Sequence, residues 1–459
     1  MDPTQLNSGD TAWVLTSAAL VLLMTPGLAL FYGGMVRSKS VLNMMMMSFG
    51  ALALISVLWV VYGYSIAFGD DLGLGLVGDP TQYFGLNGLL AEPKGVTLPP
   101  MAFVGFQAVF AIITVALISG AIADRAKFGT WMIFAGVWAT VVYFPVAHWV
   151  FDFSAGEHVG GWVANSLLAI DFAGGTAVHI NAGAAGLALA LVLGSRRGFG
   201  KDPMRPHNLP LVMIGAGLLW FGWFGFNAGS ALAANNLAAV AWVNTLVATA
   251  AATLGWLATE RIRDGHPTSL GAASGVVAGL VAITPACSAL SPMGSIVLGL
   301  VAGALCALAV GLKYRFGYDD SLDVVGVHLV GGLVGTIGVG FLATAAAPAG
   351  VDGLFYGGGL DQLWRQGVGA FAVLAVSFVA TYVIGTVLEK TVGFRIDDED
   401  EVEGIDLSSH AETAYDLHSS AGGRTGAGSM PDPVTATAPR AGAAELDDEG
   451  VDKKGRVSA

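Results

Sequence analysis

The chain has 459 residues, 54% hydrophobic and only 12% charged, with 65 glycines, a mean hydropathy of +0.67 and a net charge of −13. Charge at about half the usual share excludes a soluble globular enzyme, and glycines without a three-residue period exclude collagen. The apolar content of residues 1–392 excludes disorder there and leaves a polytopic membrane protein.

The acidity is uneven. Residues 393–459 hold 15 acids and 6 bases, whereas the preceding 392 residues hold 19 acids and 15 bases. Net charge is therefore mainly a property of the tail and says little about cargo. The first ten residues, MDPTQLNSGD, have no Lys or Arg and no short apolar region with a cleavage site. No removable leader is expected, so the first apolar run stays in the mature protein.

Apolar runs of bilayer length fall at 11–35, 41–68, 101–123, 128–150, 174–194, 209–229, 235–258, 268–287, 293–313, 323–345 and 366–392. A bilayer core needs about 20 apolar residues per helix. None of these runs alternates with period two, so helices rather than a membrane barrel are predicted. The expected fold is all-α, with eleven transmembrane helices.

Loop charge orients them. Arg37, Lys39, Arg125, Lys127, Arg196, Arg197, Lys201, Arg205, Arg261, Arg263, Lys313 and Arg315 fall on one side, and only Lys94 and Arg365 on the other. The positive-inside rule then places the N-terminus outside and the C-terminus in the cytoplasm, as an odd number of spans requires.

Chemistry-bearing residues follow along the chain. Phe106 and Phe110 lie at i, i+4 on the third span and share a helix face. The outward end of the fourth span carries Phe144, His148, Trp149 and Phe151. The fifth span opens with Asp171 and then His179, the tenth with Asp323 and then His328, at spacings of eight and five. These two spans enter from opposite sides, so spans 1–5 and 6–10 read as inverted halves with span 11 as an extra. Inverted halves place a substrate path at their interface near the midplane. Ionisable groups inside a membrane are costly, which makes His179 and His328 functional candidates. Two neutral imidazoles in contact can share a proton and act as a relay. The sixth span carries Trp220, Trp223, Phe226 and Ser230, the last three able to share a face. Rings attract a small cation by about 0.5–2 kcal/mol, and the serine hydroxyl can accept an N–H bond. Cys287 and Cys306 lie in apolar runs as small packing residues. With no third or fourth ligand beside the histidines, no metal or cofactor is expected, nor a nucleic-acid partner. No nucleophile elbow or HExxH motif is present, so the chain does not read as an enzyme.

The runs TPGLALFYGGMVRSKSVLNMMMMS, DFAGGTAVHINAG, WFGWFGFNAGS, DDSLDVVGVHLVGG and EGIDLSSHAETAY, in this order, resemble the ammonium transporter/methylammonium permease/Rhesus family, and its bacterial ammonium transporters in particular. The resemblance covers residues from about 10 to 420. It implies a homotrimer with one pore and eleven helices per subunit, and ammonium and methylammonium as cargo. His179 and His328 look like the twin pore histidines, and Phe110 and Phe226 like the stacked phenyl gate. Phe106, Ser230 and Phe151 look like the external recruitment site, Asp171 like the buried carboxylate near it, and Trp223 like a pore-wall residue. Many members have Trp where this chain has Phe151, so recruitment is either weaker here or shared with Trp149.

The resemblance also implies a trimeric PII signalling protein as partner of the cytoplasmic face. The tail reads as two parts, disordered after about 420, while Ile396, Val402, Ile405, Leu407, Tyr415 and Leu417 belong either to a solvated acidic linker or to a docked segment. The expected activity is ammonium uptake across the plasma membrane by deprotonation outside and passage of ammonia. The proton either crosses through the histidines or returns outside, which would make the protein a gas channel. A sensor with incidental transport is the alternative class.

Overall fold

A computed structural model describes residues 6–91 and 96–415. Lys94, Leu417 and the segment expected to be disordered lie outside the described residues. The helices are α1 (Ser8–Met35), α2 (Val41–Phe68), α3 (Pro100–Ile122), α4 (Phe128–Phe151), α5 (Gly175–Leu193), α6 (Leu209–Gly229), α7 (Asn236–Asp264), α8 (Ser269–Ile283), α9 (Pro292–Phe316), α10 (Val325–Leu342) and α11 (Asp361–Thr391). Among the described residues ten of these are long and apolar enough to cross a membrane; α8, where a span over 268–287 was expected, is shorter. Among the same residues there is no β-strand, only three isolated bridges.

Polar caps set several of the helix starts. Asn7 accepts from the Gly9 and Asp10 amides, Asn208 from Leu211 and Thr268 from Gly271, each satisfying donors that a helix start leaves free. The short α8 ends at Thr284, whose hydroxyl bonds the Leu280 carbonyl at 2.8 Å. Pro285 then supplies no amide to continue it. By contrast α7 runs past the expected 258, because Arg261 and Arg263 in its last turn complement the helix dipole.

Small residues let the helices approach. A Cβ on Gly299 or Gly303 of α9 would strike the Ala248 or Ala252 carbonyl of α7, so the two backbones touch. Such contacts replace the hydrophobic effect as a source of cohesion in lipid.

The loop cations do more than orient the chain. Arg125 is fully buried and donates to Ser321 Oγ and the Asp319 carbonyl, both at 2.5 Å. Arg196 forks onto Asp319 at 2.9 and 2.8 Å and reaches Asp124 at 3.1 Å. Burial alone would raise the Asp319 pKa, but Arg196 and Arg125 outweigh it and hold the carboxyl below its ordinary value. A depressed folded-state pKa contributes stability that is present above the ordinary carboxylate value and lost as pH falls through the folded one. Asp319→Ala removes the carboxylate that Arg196 forks onto and that lies 3.9 Å from Arg125, leaving buried positive charge poorly compensated, and is expected to cost about 3–5 kcal/mol. Thermal unfolding of the detergent-purified protein checks this. The wild type should lose melting temperature in acid, and the variant should already be low at neutral pH. An unchanged neutral-pH melting temperature would contradict the assignment.

The first part of the tail docks, which settles that alternative. The compact unit extends to Tyr415, past the 392/393 boundary that marks the end of the last long helix. Phe394, Ile396 and Ile405 are buried, and Phe394 packs 5.7 Å from Phe134. Two short helices follow, α12 (Asp398–Glu403) and α13 (Ile405–His410). Asp406 accepts the Leu42 and Asn43 amides at 3.0 and 2.8 Å, so the tail caps α2. Tyr415 bonds His207 at 2.9 Å. Val402 and Leu407, expected among the docking residues, are exposed; the polar Asp406 and Glu401 take the inward positions instead.

Candidate functional site

The site starts from two irregular helix openings. The Asp171 carboxylate accepts four successive amides, those of Gly174, Gly175, Thr176 and Ala177, at 2.6–3.0 Å. Gly174 has φ +112°, a left-handed value that a side chain would strain. The chain then enters α5 through a π-turn over Gly175–Ile180 that contains His179. π-turns inside helices concentrate at functional sites because they re-aim side chains.

The tenth helix repeats this device, with one correction. The expected partner of Asp171 was Asp323, five residues before His328. Instead Asp320 caps the π-turn Val325–Leu329, accepting the Val324 and Val325 amides at 3.0 and 2.7 Å. Its spacing to His328 is then eight, the same as from Asp171 to His179. Asp323 occupies the place of Gly174, with φ +64°, and pairs with Lys313 at 2.7 Å.

A second repeat went unread in the sequence. Glycines follow each histidine at +4 and +7, namely Gly183 and Gly186, and Gly332 and Gly335. A Cβ on Gly183 would strike the Leu329 backbone, and one on Gly332 the Gly175 carbonyl and the Ile180 side chain, close to the Ile180 amide. Leu329 and Ile180 are the residues next after His328 and His179. The two helices thus cross backbone to backbone beside the histidines, and H-x-x-x-G-x-x-G was the signal that could have revealed it.

Both imidazoles are buried, and their Nδ1 atoms lie 3.2 Å apart. One ring must donate and the other accept. His179 also stacks on Trp223 at 5.3 Å, and its Nε2 has no hydrogen-bond partner among the described residues. Trp223 is held by its indole N–H donating to Thr284 Oγ1 at 2.8 Å. These rings, with Phe226 and aliphatic side chains such as Ile113, Leu117 and Val277, line an inner cavity of about 10 Å³. That is roughly the volume of one water-sized probe.

Phe110 and Phe226 stack at 4.2 Å and 28° between this cavity and a vestibule of about 590 Å³. Phe106, Phe110, Phe151 and Ser230 line the vestibule. Phe151 meets Phe110 edge-on at 6.3 Å. The Ser230 hydroxyl donates to the Phe226 carbonyl at 2.8 Å, leaving its oxygen as an acceptor. Trp223 lies in the inner cavity rather than the vestibule, and Asp171 is not in the vestibule lining. Trp149 is also outside that lining, and its indole donates to the Leu76 carbonyl at 2.8 Å. Asp152 and His158, which sequence reading passed over, do line it.

The model of the Ammonium Transporter Family matches residues 12–415. An ammonium transporter of Mycobacterium bovis is 62% identical over 435 residues, covering 90% of this chain and 91% of that protein. One of Corynebacterium glutamicum is 45% identical and covers 91% of each. Among solved structures, Mep2 of Saccharomyces cerevisiae superposes with a TM-score of 0.78 at 33% identity, over 86% of this chain and 89% of that one. Identity and coverage at this level leave one assignment: the chain belongs to the Ammonium Transporter Family, as a multi-pass protein of the plasma membrane that transports ammonium and is not an enzyme.

Proposed function

We propose that ammonium loses its proton in the vestibule and that ammonia alone traverses the inner cavity. The cation is recruited against Ser230 and the rings of Phe106 and Phe151, passes the Phe110/Phe226 stack as ammonia, and moves along His179 and His328. Asp171 shapes the opening of α5 rather than carrying the proton. The observation that carries this reading is the contrast in size and lining between the two cavities, about 590 and about 10 Å³. An isolated ion in an apolar enclosure costs tens of kcal/mol by idealised solvation arguments, whereas a neutral molecule avoids that cost. Potassium has no proton to lose, so the same step gives selectivity.

The imidazole pair supplies a proton path, which makes net transport electrogenic. Methylammonium fits the same scheme. Eleven spans with the N-terminus outside, inverted halves of helices 1–5 and 6–10, a homotrimer and a cytoplasmic PII-type partner complete the proposal. The repeated aspartate–histidine–glycine device supports the inverted halves, and α8, packed among long spans, supports a count of eleven. The proposed division is a membrane domain of residues 1–392 and a cytoplasmic tail of 393–459.

Ammonium pulses on protein in planar membranes or liposomes test the scheme. An inward current that saturates with ammonium is expected, and it should fall in Ser230→Ala. Rapid internal alkalinisation across an electrically silent membrane would mean a gas channel instead.

A further inference from the structure

The vestibule holds ionisable groups for which the proposed pathway has no use. His158, in the loop after α4, sits between two carboxylates, with Nδ1 2.6 Å from Asp70 and Nε2 2.9 Å from Asp152. A neutral imidazole can donate to only one of them; the doubly protonated ring can donate to both. Asp152 is nearly buried and faces His148 at 3.2 Å on its other side, and His148 faces Asp71 at 3.4 Å. Asp70 opens to solvent and is held by Gln82 at 3.1 Å. Tyr64 and Tyr83 stand in the same wall as His158 and Asp152, and exposed Glu157 precedes His158 on its own loop. Among the described residues no group of side chains is arranged to hold a metal ion.

We propose that His158 is an affinity-determining residue for cation recruitment: protonated, it neutralises Asp152 at the vestibule wall, and deprotonated, it leaves that carboxylate's charge facing the incoming ammonium ion. Burial alone would lower the His158 pKa, but the hydrogen bonds to Asp152 and Asp70 outweigh it and raise the value above the ordinary one. The switch therefore falls at or above the pH where free imidazole titrates. Apparent affinity for the cation rises as external pH rises through it. The inference rests on the reading that the vestibule recruits the cation.

The test is methylammonium uptake by the full chain in liposomes, with internal pH clamped and external pH varied from about 5.5 to about 8 across the histidine range. Methylammonium stays almost wholly protonated over that range, so speciation does not move the result. The wild-type apparent KM should fall about fivefold from acid to alkaline pH, the scale set by one charge at short range near water. In His158→Gln the ratio of the two KM values should stay within about twofold of unity. Because the ratio is taken within each variant, lowered expression does not affect it. Asp70→Asn removes one of the two flanking carboxylates and should move the wild-type midpoint to lower pH.

A wild-type KM that ignores pH, a His158→Gln ratio equal to the wild-type one, or an unmoved midpoint in Asp70→Asn would each overturn the assignment. Ser230→Ala separates the two layers. If it leaves KM unchanged at every pH, the recruitment reading falls; if it raises KM while His158→Gln keeps the wild-type ratio, only the role of His158 falls.

Discussion

Asp171→Ala is expected to lower methylammonium uptake by about a hundredfold or more. The carboxylate holds four successive amides at the opening of α5, in a segment that is itself buried. Each amide left without a partner there costs about 1–3 kcal/mol, and water cannot replace the acceptor without entering the packed interior. The π-turn that aims His179 would relax towards a regular helix. Asp171→Asn keeps one oxygen, while its NH2 group faces amides that it cannot accept from, so an intermediate loss is expected. The measurement is labelled methylammonium uptake, with size-exclusion chromatography to confirm that protein is present. Uptake near wild type in Asp171→Ala would overturn the capping role. Loss graded by the number of acceptor oxygens would separate a structural carboxylate from a proton carrier, for which Asn and Ala are equivalent.

His179→Ala and His328→Ala are each expected to reduce selectivity for ammonium over potassium about tenfold or more. Either change removes a ring from a cavity of about 10 Å³ and leaves the other Nδ1 without its 3.2 Å partner. A wider cavity with a free polar atom admits water, and a hydrated path lowers the barrier that excluded the bare ion. A factor of ten corresponds to about 1.4 kcal/mol, within the cost of one broken buried hydrogen bond. Potassium and ammonium currents in the same reconstituted preparation give the ratio directly. If both variants keep the wild-type ratio, the histidines do not set selectivity.

How much of this was legible follows from what each residue depends on. His179 and His328 stood out because an ionisable ring inside a span is costly, whereas Phe110 and Phe226, at a spacing that ordinary packing residues share, were singled out by the family resemblance. Helix positions were legible through the apolar runs alone, while the caps that set several starts, such as Asn208 and Thr268, were not read from the sequence. Asp320 was missed because a cap is defined by backbone amides, and the chain offers Asp319, Asp320 and Asp323 within five residues. Sequence alone cannot show that Asp319 turns to Arg196 and Asp323 to Lys313, which leaves Asp320 as the cap. Arg125 and Arg196 counted as surface cations because the positive-inside rule records side and ignores depth. His158 was invisible for the same kind of reason. Asp152 lies six residues before it at the end of α4, but Asp70 comes from the loop after α2, and only folding brings that carboxylate to the other face of the ring.

The crossing of α5 and α10 at Gly183 and Gly332 has a mechanical consequence. Backbone atoms of each segment, with the base of the Leu329 and Ile180 side chains, fill the space that a Cβ would need there. The spacing of the two histidine-bearing segments therefore depends on the glycines, whose missing side chains allow the close approach. A bulkier residue at either position would have to push the two segments apart, and with them the rings they carry.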